Sequence, residues 1–305
     1  MILAIAPSPS LDVTYVVEEL VEGGHVRPLE VHRVAGGKAI NAARAARALG
    51  AEVRVVAPLG GTSGAFIAEE LAHAGIALHA VPTGPTRTCV SVFARVDGTM
   101  TEIYEQAPPI ADAWAGMLTA IGAELATAGP VHVLLSGSVP PTGAPDPLGD
   151  VARLVAQAGA RWAVDTHGEA LRRAMELAPE IVKVNKAEAA EALGADGDAR
   201  ALALALHERT RGVAIVTDGP AGVVAVDGEH AIRALLPGVR GGFPVGSGDT
   251  MLGTLVASLD AGEPLEGALA VATAAATANA LVPGAAVYRE DDLRRLRALV
   301  ELSPA

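Results

Sequence analysis

The densest chemical signal in the chain is Gly242-Phe243-Pro244-Val245-Gly246-Ser247-Gly248-Asp249-Thr250-Met251, which leads into a helical stretch over Leu252–Leu259. Glycines at 246 and 248 let the backbone turn tightly, so that successive amides point into one concavity. With a helix starting just beyond them, the amides of Gly246, Ser247 and Gly248 sit at its positive end, where developing phosphate charge is stabilised. Asp249 then stands beside an anion hole as a candidate base. The same spacing also describes an ordinary turn with Asp249 as the helix N-cap, and spacing alone leaves both readings open. A second cluster, Gly36-Gly37-Lys38-Ala39-Ile40-Asn41, opens a helix that runs through Arg44 and Arg47. Its paired glycines admit a ligand close to the backbone, and Asn41 can both donate and accept hydrogen bonds. Lys38 is either a point charge for a phosphate or a solvated loop lysine.

Other chemistries are excluded by the same inspection. Gly36–Ala39 lacks the upstream glycine and the hydroxyl residue of a Walker loop, and Gly246-Ser247-Gly248 meets Met251 where a dinucleotide fingerprint requires glycine. Neither HExxH nor GxSxG occurs, and the 8 histidines are scattered. A single cysteine, Cys89, rules out an intramolecular disulfide framework and a multi-cysteine metal site. With 23 Lys+Arg against 35 Asp+Glu, the formal net charge of −12 disfavours nucleic acid or an anionic membrane as partner. A local cationic pocket for a phosphorylated metabolite remains compatible with that total.

The elements that must position these residues are legible as short β-branched runs alternating with alanine-rich helical stretches. Ile2–Ala6, Val53–Ala57, Val131–Leu135, Trp162–Val164, Ile181–Val184 and Val213–Thr217 read as strands, nearly continuous in apolar residues, as when both sheet faces are covered. Ala39–Leu49, Gly64–His73, Val151–Ala158, Ala187–Leu193 and Ala199–Arg209 read as the helices between them. Repeated strand–helix–strand order predicts a parallel sheet with right-handed crossovers. Val13–Val17, Glu30–Val34, Val90–Arg95 and Thr101–Tyr104 lack intervening helices and predict a small antiparallel sheet, a lid, with a hairpin turn at Val96-Asp97-Gly98-Thr99. Asp291 and Asp292 before Arg294, Arg295 and Arg297 predict a last helix whose charges complement its dipole.

Half of the residues are hydrophobic and only 3% aromatic, so alanine, valine and leucine must supply the packing of a large core. The apolar start Met1–Ala6 carries no basic region and closes at Pro7, so it reads as a buried strand rather than a signal peptide. Ala268–Val282 is too short and too weakly hydrophobic to span a bilayer. The expectation is a soluble, cytoplasmic protein.

With both glycine clusters in place, the chain resembles the PfkB (ribokinase-like) carbohydrate kinases over nearly its whole length. Gly36–Asn41 is similar to the N-terminal glycine signature of that family and Val245–Asp249 to its C-terminal catalytic signature. Ser10-Leu11-Asp12, Thr86-Arg87-Thr88, Thr101-Glu102-Ile103, Leu135–Pro141 and Val164-Asp165-Thr166 resemble the branch acting on ketohexose phosphates. The resemblance implies one α/β kinase domain over 1–305, with a ribokinase-like, mostly parallel central sheet flanked by helices. It also implies a small antiparallel β lid from segments near 12–35 and 88–105.

In that frame Asp249 is the base, and the amides of Gly246, Ser247 and Gly248 stabilise the transferring phosphoryl group. Asp12, Gly37 and Asn41 hold sugar hydroxyls, while Lys38, Arg87 and Ser138 hold the phosphate already on the substrate. Asn185-Lys186-Ala187-Glu188 matches an NxxE element, with Glu188 on Mg²⁺, although a first-turn helix acid is its ordinary role. Thr217, Asp218, Gly219 and Gly222 fall where the family binds nucleotide phosphates, and Asn279 where it lines the adenine pocket, with Ala276 and Ala280 small enough to admit the base.

The implied cofactors are ATP and Mg²⁺. The implied reaction converts fructose 1-phosphate to fructose 1,6-bisphosphate, with tagatose 6-phosphate and fructose 6-phosphate as rival substrates. An unphosphorylated sugar or nucleoside, or a non-catalytic sugar-phosphate sensor, are the more distant readings. The implied assembly is a homodimer through the lid. Lys183-Val184-Asn185 and Thr217-Asp218-Gly219 depart from the usual Lys-Pro-Asn and Ser-Leu-Gly, and Asp218 adds a carboxylate near the expected polyphosphate.

Overall fold

The computed structural model describes residues 1–127 and 132–305. The first half contains β1 (Ile2–Ile5), β2 (Ser10–Val17), β3 (Glu30–Gly36), α1 (Lys38–Ala48), β4 (Val53–Leu59), α2 (Gly61–His73), β5 (Ala77–Pro82), β6 (Arg87–Ala94), β7 (Thr99–Tyr104) and α3 (Ala111–Thr127). Next come β8 (His132–Ser136), α4 (Pro147–Gln157), β9 (Arg161–Asp165), α5 (Gly168–Glu176), β10 (Ile181–Asn185), α6 (Lys186–Leu193), α7 (Ala199–Thr210) and β11 (Val213–Thr217). The chain continues through β12 (Val223–Asp227), β13 (His230–Leu235), α8 (Ser247–Asp260), α9 (Leu265–Ala280), α10 (Glu290–Arg297) and β14 (Glu301–Pro304). Val131, predicted to open a strand, lies outside the described residues.

Ten strands form the main sheet in the order β14-β13-β12-β11-β10-β9-β8-β1-β4-β5. From β11 to β5 every pairing is parallel, and β12, β13 and β14 extend the sheet antiparallel beyond β11. Side chains of β1 alternate between two cores: Ile2 and Ala4 pack with α1, α2, α8 and α9, and Leu3 and Ile5 with α3 and α4. A third core joins β10–β12 to α5, α6 and α7. Helices therefore cover both faces, which is why the parallel strands carry uninterrupted apolar residues. All parallel strands end on one edge of the sheet, where a crevice for ligands is expected.

A second sheet, ordered β3-β2-β6-β7, projects from this frame. Its outer pairs are antiparallel, as the hairpin pattern predicts, while the central β2–β6 pair runs parallel. The β6–β7 turn is held by Asp97, whose carboxylate accepts from Thr99 N at 3.0 Å and Thr99 Oγ1 at 2.8 Å. Among the described residues no helix is long and apolar enough to cross a membrane.

Several predicted helices begin earlier than the periodicity suggests, because a cap and not the first apolar residue sets the start. Asp146 accepts from Gly149 N at 3.0 Å and starts α4 at Pro147, four residues before Val151. Helix α8 starts at Ser247, ahead of Leu252. It packs so tightly on α1 that a methyl group on Gly253 would fall 2.0 Å from the Ala42 carbonyl oxygen.

Candidate active site

A cleft of about 550 Å³ opens between the lid and the carboxyl edge of the main sheet. Of the predicted residues, Asp12, Gly37, Lys38, Asn41, Arg87, Ser138, Asn185, Glu188, Thr217, Gly219, Gly246, Gly248 and Asp249 all line it. A neighbouring cavity of about 490 Å³ is lined by Gly222, Ser247, Met251, Ala276, Thr277 and Ala280, and shares Thr217, Gly219 and Gly248 with the cleft. Those three shared residues mark where the two spaces meet.

The loop before α8 has the shape that its glycines allow. Gly246 adopts a left-handed conformation (φ 78°) and is itself the N-cap, so Asp249 lies in the first helical turn and is not the cap. The Asp249 carboxylate accepts from Asn41 Nδ2 at 2.9 Å, which ties the first turns of α8 and α1 together. Asp249 is only 7% exposed. Burial, reinforced by the carboxylate of Asp165, lifts its pKa to about 6, against the opposing pull of Lys38, Lys183 and the Asn41 hydrogen bond.

Two residues that the sequence reading did not assign complete this centre. Asp165, at the end of β9, is fully buried and takes Lys38 Nζ at 2.9 Å on one oxygen and Lys183 Nζ at 2.5 Å on the other. Burial alone would raise its pKa, but the two ammonium groups outweigh it and hold the carboxyl at about 2. Lys183, on β10, is buried directly beneath the anion loop: a methyl group on Gly248 would lie 2.7 Å from its Nζ. The ammonium of Lys38 pairs with Asp165 and lies 3.5 Å from Glu188. These carboxylates and that of Asp249 keep it protonated despite burial.

On the lid side, Ser10 Oγ donates to Asp12 Oδ1 at 2.6 Å, and burial lifts the Asp12 pKa to about 6 against that bond and the charges of Arg44 and Arg87. Arg87 donates to the carbonyls of Glu105 (3.1 Å) and Ser8 (3.4 Å). Its Nε and the Ser8 hydroxyl are buried without a partner among the described residues. Both residues line the cleft.

Asn185 and Glu188 form a capping box: Glu188 N donates to Asn185 Oδ1 and Asn185 N to Glu188 Oε2, both at 2.9 Å. Among the described residues no three His, Cys, Asp or Glu side chains group to hold a metal. The Glu188 carboxylate on the cleft wall nevertheless suits Mg²⁺, which keeps most of its ligands as water and phosphate oxygens. The second cavity, walled by small residues and opening onto helix-terminal amides, fits a nucleotide. Asp218 lines neither space and pairs with Lys186 at 3.1 Å.

Asn279 requires a correction. Its side chain is fully buried, donating to Val245 O (2.9 Å) and Ser247 Oγ (3.0 Å) and accepting from Val287 N (3.1 Å). It braces the back of the loop before α8 and does not line the second cavity. Ala276 and Ala280 line the second cavity. In sequence the asparagine was indistinguishable from a ligand-facing one, because its partners lie more than thirty residues upstream and eight downstream.

The profile of the pfkB family carbohydrate kinases matches residues 7–291. The chain is 33% identical to a 1-phosphofructokinase of Rhodobacter capsulatus over 250 residues, covering 79% of this chain and 78% of that one. It is 26% identical over 304 residues to the ATP-dependent 6-phosphofructokinase isozyme 2 of Escherichia coli, covering 97% and 98%. The tetrameric inhibited form of phosphofructokinase-2 from Escherichia coli superposes with a TM-score of 0.87 at 25% identity, over 97% of this chain and 98% of that one. An anion loop at a helix terminus, a buried carboxylate beside it and a sequence pattern spanning nearly the whole chain agree: this protein belongs to the pfkB family and is an ATP-dependent carbohydrate kinase.

Proposed function

We propose that the chain transfers the terminal phosphoryl group of ATP to a hydroxyl of a ketohexose monophosphate, with fructose 1-phosphate as substrate and fructose 1,6-bisphosphate as product. The observation that carries this reading is the buried Asp249 carboxylate at the first turn of α8, in a cleft that Arg87 also lines. The 1-phosphofructokinase relative supports the choice of acceptor. A second reading, fructose 6-phosphate, is favoured by the 6-phosphofructokinase relative, which aligns over almost the full chain.

In this proposal Asp249 takes the proton of the attacking hydroxyl. The amides of Gly246, Ser247 and Gly248, with Lys183 below them, stabilise charge at the phosphoryl group in flight. Asp12, Gly37 and Asn41 orient the sugar hydroxyls, and Arg87 and Ser138 grip the substrate's own phosphate. Lys38 serves the transferring phosphoryl group instead of the substrate phosphate, because it stands between Asp165 and Glu188. Glu188 would hold Mg²⁺, with Asn185 beside it; bound Mg²⁺–ATP supplies the phosphoryl group and screens its charge. Thr217, Gly219 and Gly222 shape the passage for the nucleotide.

The decisive assay is ADP release from Mg²⁺–ATP with fructose 1-phosphate, fructose 6-phosphate, tagatose 6-phosphate, fructose and ribose. A kcat/KM strongly favouring one phosphorylated ketohexose is expected, and turnover confined to neutral sugars overturns the roles of Arg87 and Ser138. Arg87→Ala should raise KM for that sugar phosphate by about ten- to a hundredfold, the scale of a charged hydrogen bond, with a smaller change in kcat. An unchanged KM removes Arg87 from the phosphate site.

For assembly, we propose a homodimer through the lid, where Leu20, Val21, Leu29 and Val31 are exposed together around β2 and β3. Exposed apolar side chains in and beside the loop that joins two lid strands suit a self-complementary contact. Sedimentation equilibrium should give a dimer that Leu29→Glu with Val31→Glu converts to monomers. A purely monomeric wild type rejects it.

A further inference from the structure

Asn185 and Thr217 are register partners at the ends of the adjacent parallel strands β10 and β11. The next residue on each is charged: Lys186 opens α6, and Asp218 precedes the 3-10 turn Gly219–Ala221. Parallel register therefore places the two side by side at the carboxyl edge of the sheet, and Lys186 Nζ stands 3.1 Å from Asp218 Oδ2. The residues around them, Asn185, Thr217 and Gly219, all line the cleft, and two of these also line the nucleotide cavity. The ion pair thus bridges the two loops that flank the junction of the two spaces. Both side chains are partly solvated, at 43% and 35% exposure, so the pair can exchange partners without a buried charge being stranded. Neither Lys186 nor Asp218 itself lines either space, but a carboxylate left alone beside that junction would repel a polyphosphate, whereas a lysine released there would attract one.

We infer that Lys186 and Asp218 form a charge-compensated latch at the phosphate passage, in which Lys186 can leave Asp218 for the oxygens of a nucleotide polyphosphate. The pair then sets nucleotide affinity by competition, and it rests on the nucleotide reading of the second cavity given above. It also accounts for how the chain tolerates an acid at 218: Lys186 supplies the neutralising charge.

The two single variants should move nucleotide affinity in opposite directions, which a simple loop staple cannot do. By isothermal titration with Mg²⁺ and the non-hydrolysable β,γ-imido analogue of ATP, Lys186→Met should weaken binding and Asp218→Asn should tighten it. Each shift is on the order of three- to tenfold at low ionic strength, the scale of a partly exposed ion pair, and shrinks in high salt. The double variant should return towards wild type, and melting temperatures without ligand should stay within a degree or so, since surface pairs add little stability. Weakening in both single variants, or no shift in either, overturns the latch. Failure of the wild-type protein to bind the analogue at all would instead overturn the nucleotide reading, so the two failures are distinct.

Discussion

Asp249→Asn is expected to lower kcat by about 10²- to 10⁴-fold, the usual contribution of a positioned general base. The substitution keeps size and shape, and the variant side chain can still accept from Asn41 Nδ2, so nucleotide binding measured by titration should persist. The pH profile provides a sharper signature. Burial holds Asp249 at about 6, and only its ionised form can take a proton. Turnover should therefore rise with pH through an acid limb near that value and then level off. Asp12 is lifted to about the same value, so the limb belongs to both groups; Asp12→Asn should leave a limb carried by Asp249 alone. The sign for stability is opposite to that for activity. A carboxyl whose folded pKa is raised binds protons more tightly when folded, so its ionisation erodes stability as pH climbs from the unfolded value to about 6. Asp249→Asn should accordingly melt higher than wild type at neutral pH while turning over far more slowly. Near-normal turnover in this variant would remove Asp249 as the base.

Lys183→Met is expected to destabilise the fold, by less than the cost of stripping a buried charge of every partner, about 3–5 kcal/mol. Asp165 is fully buried and shared by two ammonium groups, so loss of one leaves Lys38 alone to balance it. The double change Lys183→Met with Asp165→Asn should recover much of the melting temperature without recovering turnover, because the cation under the anion loop is still missing. Acid titration adds a second check. Asp165 is held at about 2, so its contribution is complete above the unfolded carboxyl pKa and is lost as pH falls from there towards 2. That acid-side loss should be smaller in Lys183→Met. A single variant that melts like wild type would show that Lys183 does not balance Asp165.

The parallel core and the anion loop were legible because their causes are local. Strands β1, β4, β9, β10 and β11 are covered on both faces, so their apolar runs are continuous, and Gly246-Ser247-Gly248 announces a tight turn by composition alone. Strand β5 was missed because it is the exposed edge, with only Val81 buried along its length. Strands β12 and β13 were missed because they form an antiparallel hairpin beyond β11, outside the strand–helix rhythm. Helices α3 and α9 carry alanine on all sides, which flattens the 3.6-residue period that marks an amphipathic helix. At the site, Asp12, Asn41, Arg87 and Asp249 were found by motif. The charge partnership of Lys38, Asp165 and Lys183 was not, since Lys38 meets an acid 127 positions away that no local pattern links to it.

The close contact between α1 and α8 has an evolutionary consequence. Asn41 and Asp249 are spaced by two helices whose backbones come together at Ala42 and Gly253. An interface of bulky residues can absorb a substitution by repacking, whereas one built on backbone contact has nothing left to rearrange. Position 253 therefore has no tolerated neighbours in sequence space other than glycine unless α8 itself shifts, and with it the alignment of Asp249. Lineages descending from this chain can diversify at solvent-facing lid positions outside the cleft and the proposed contact, while the seam that spaces the two site residues stays fixed.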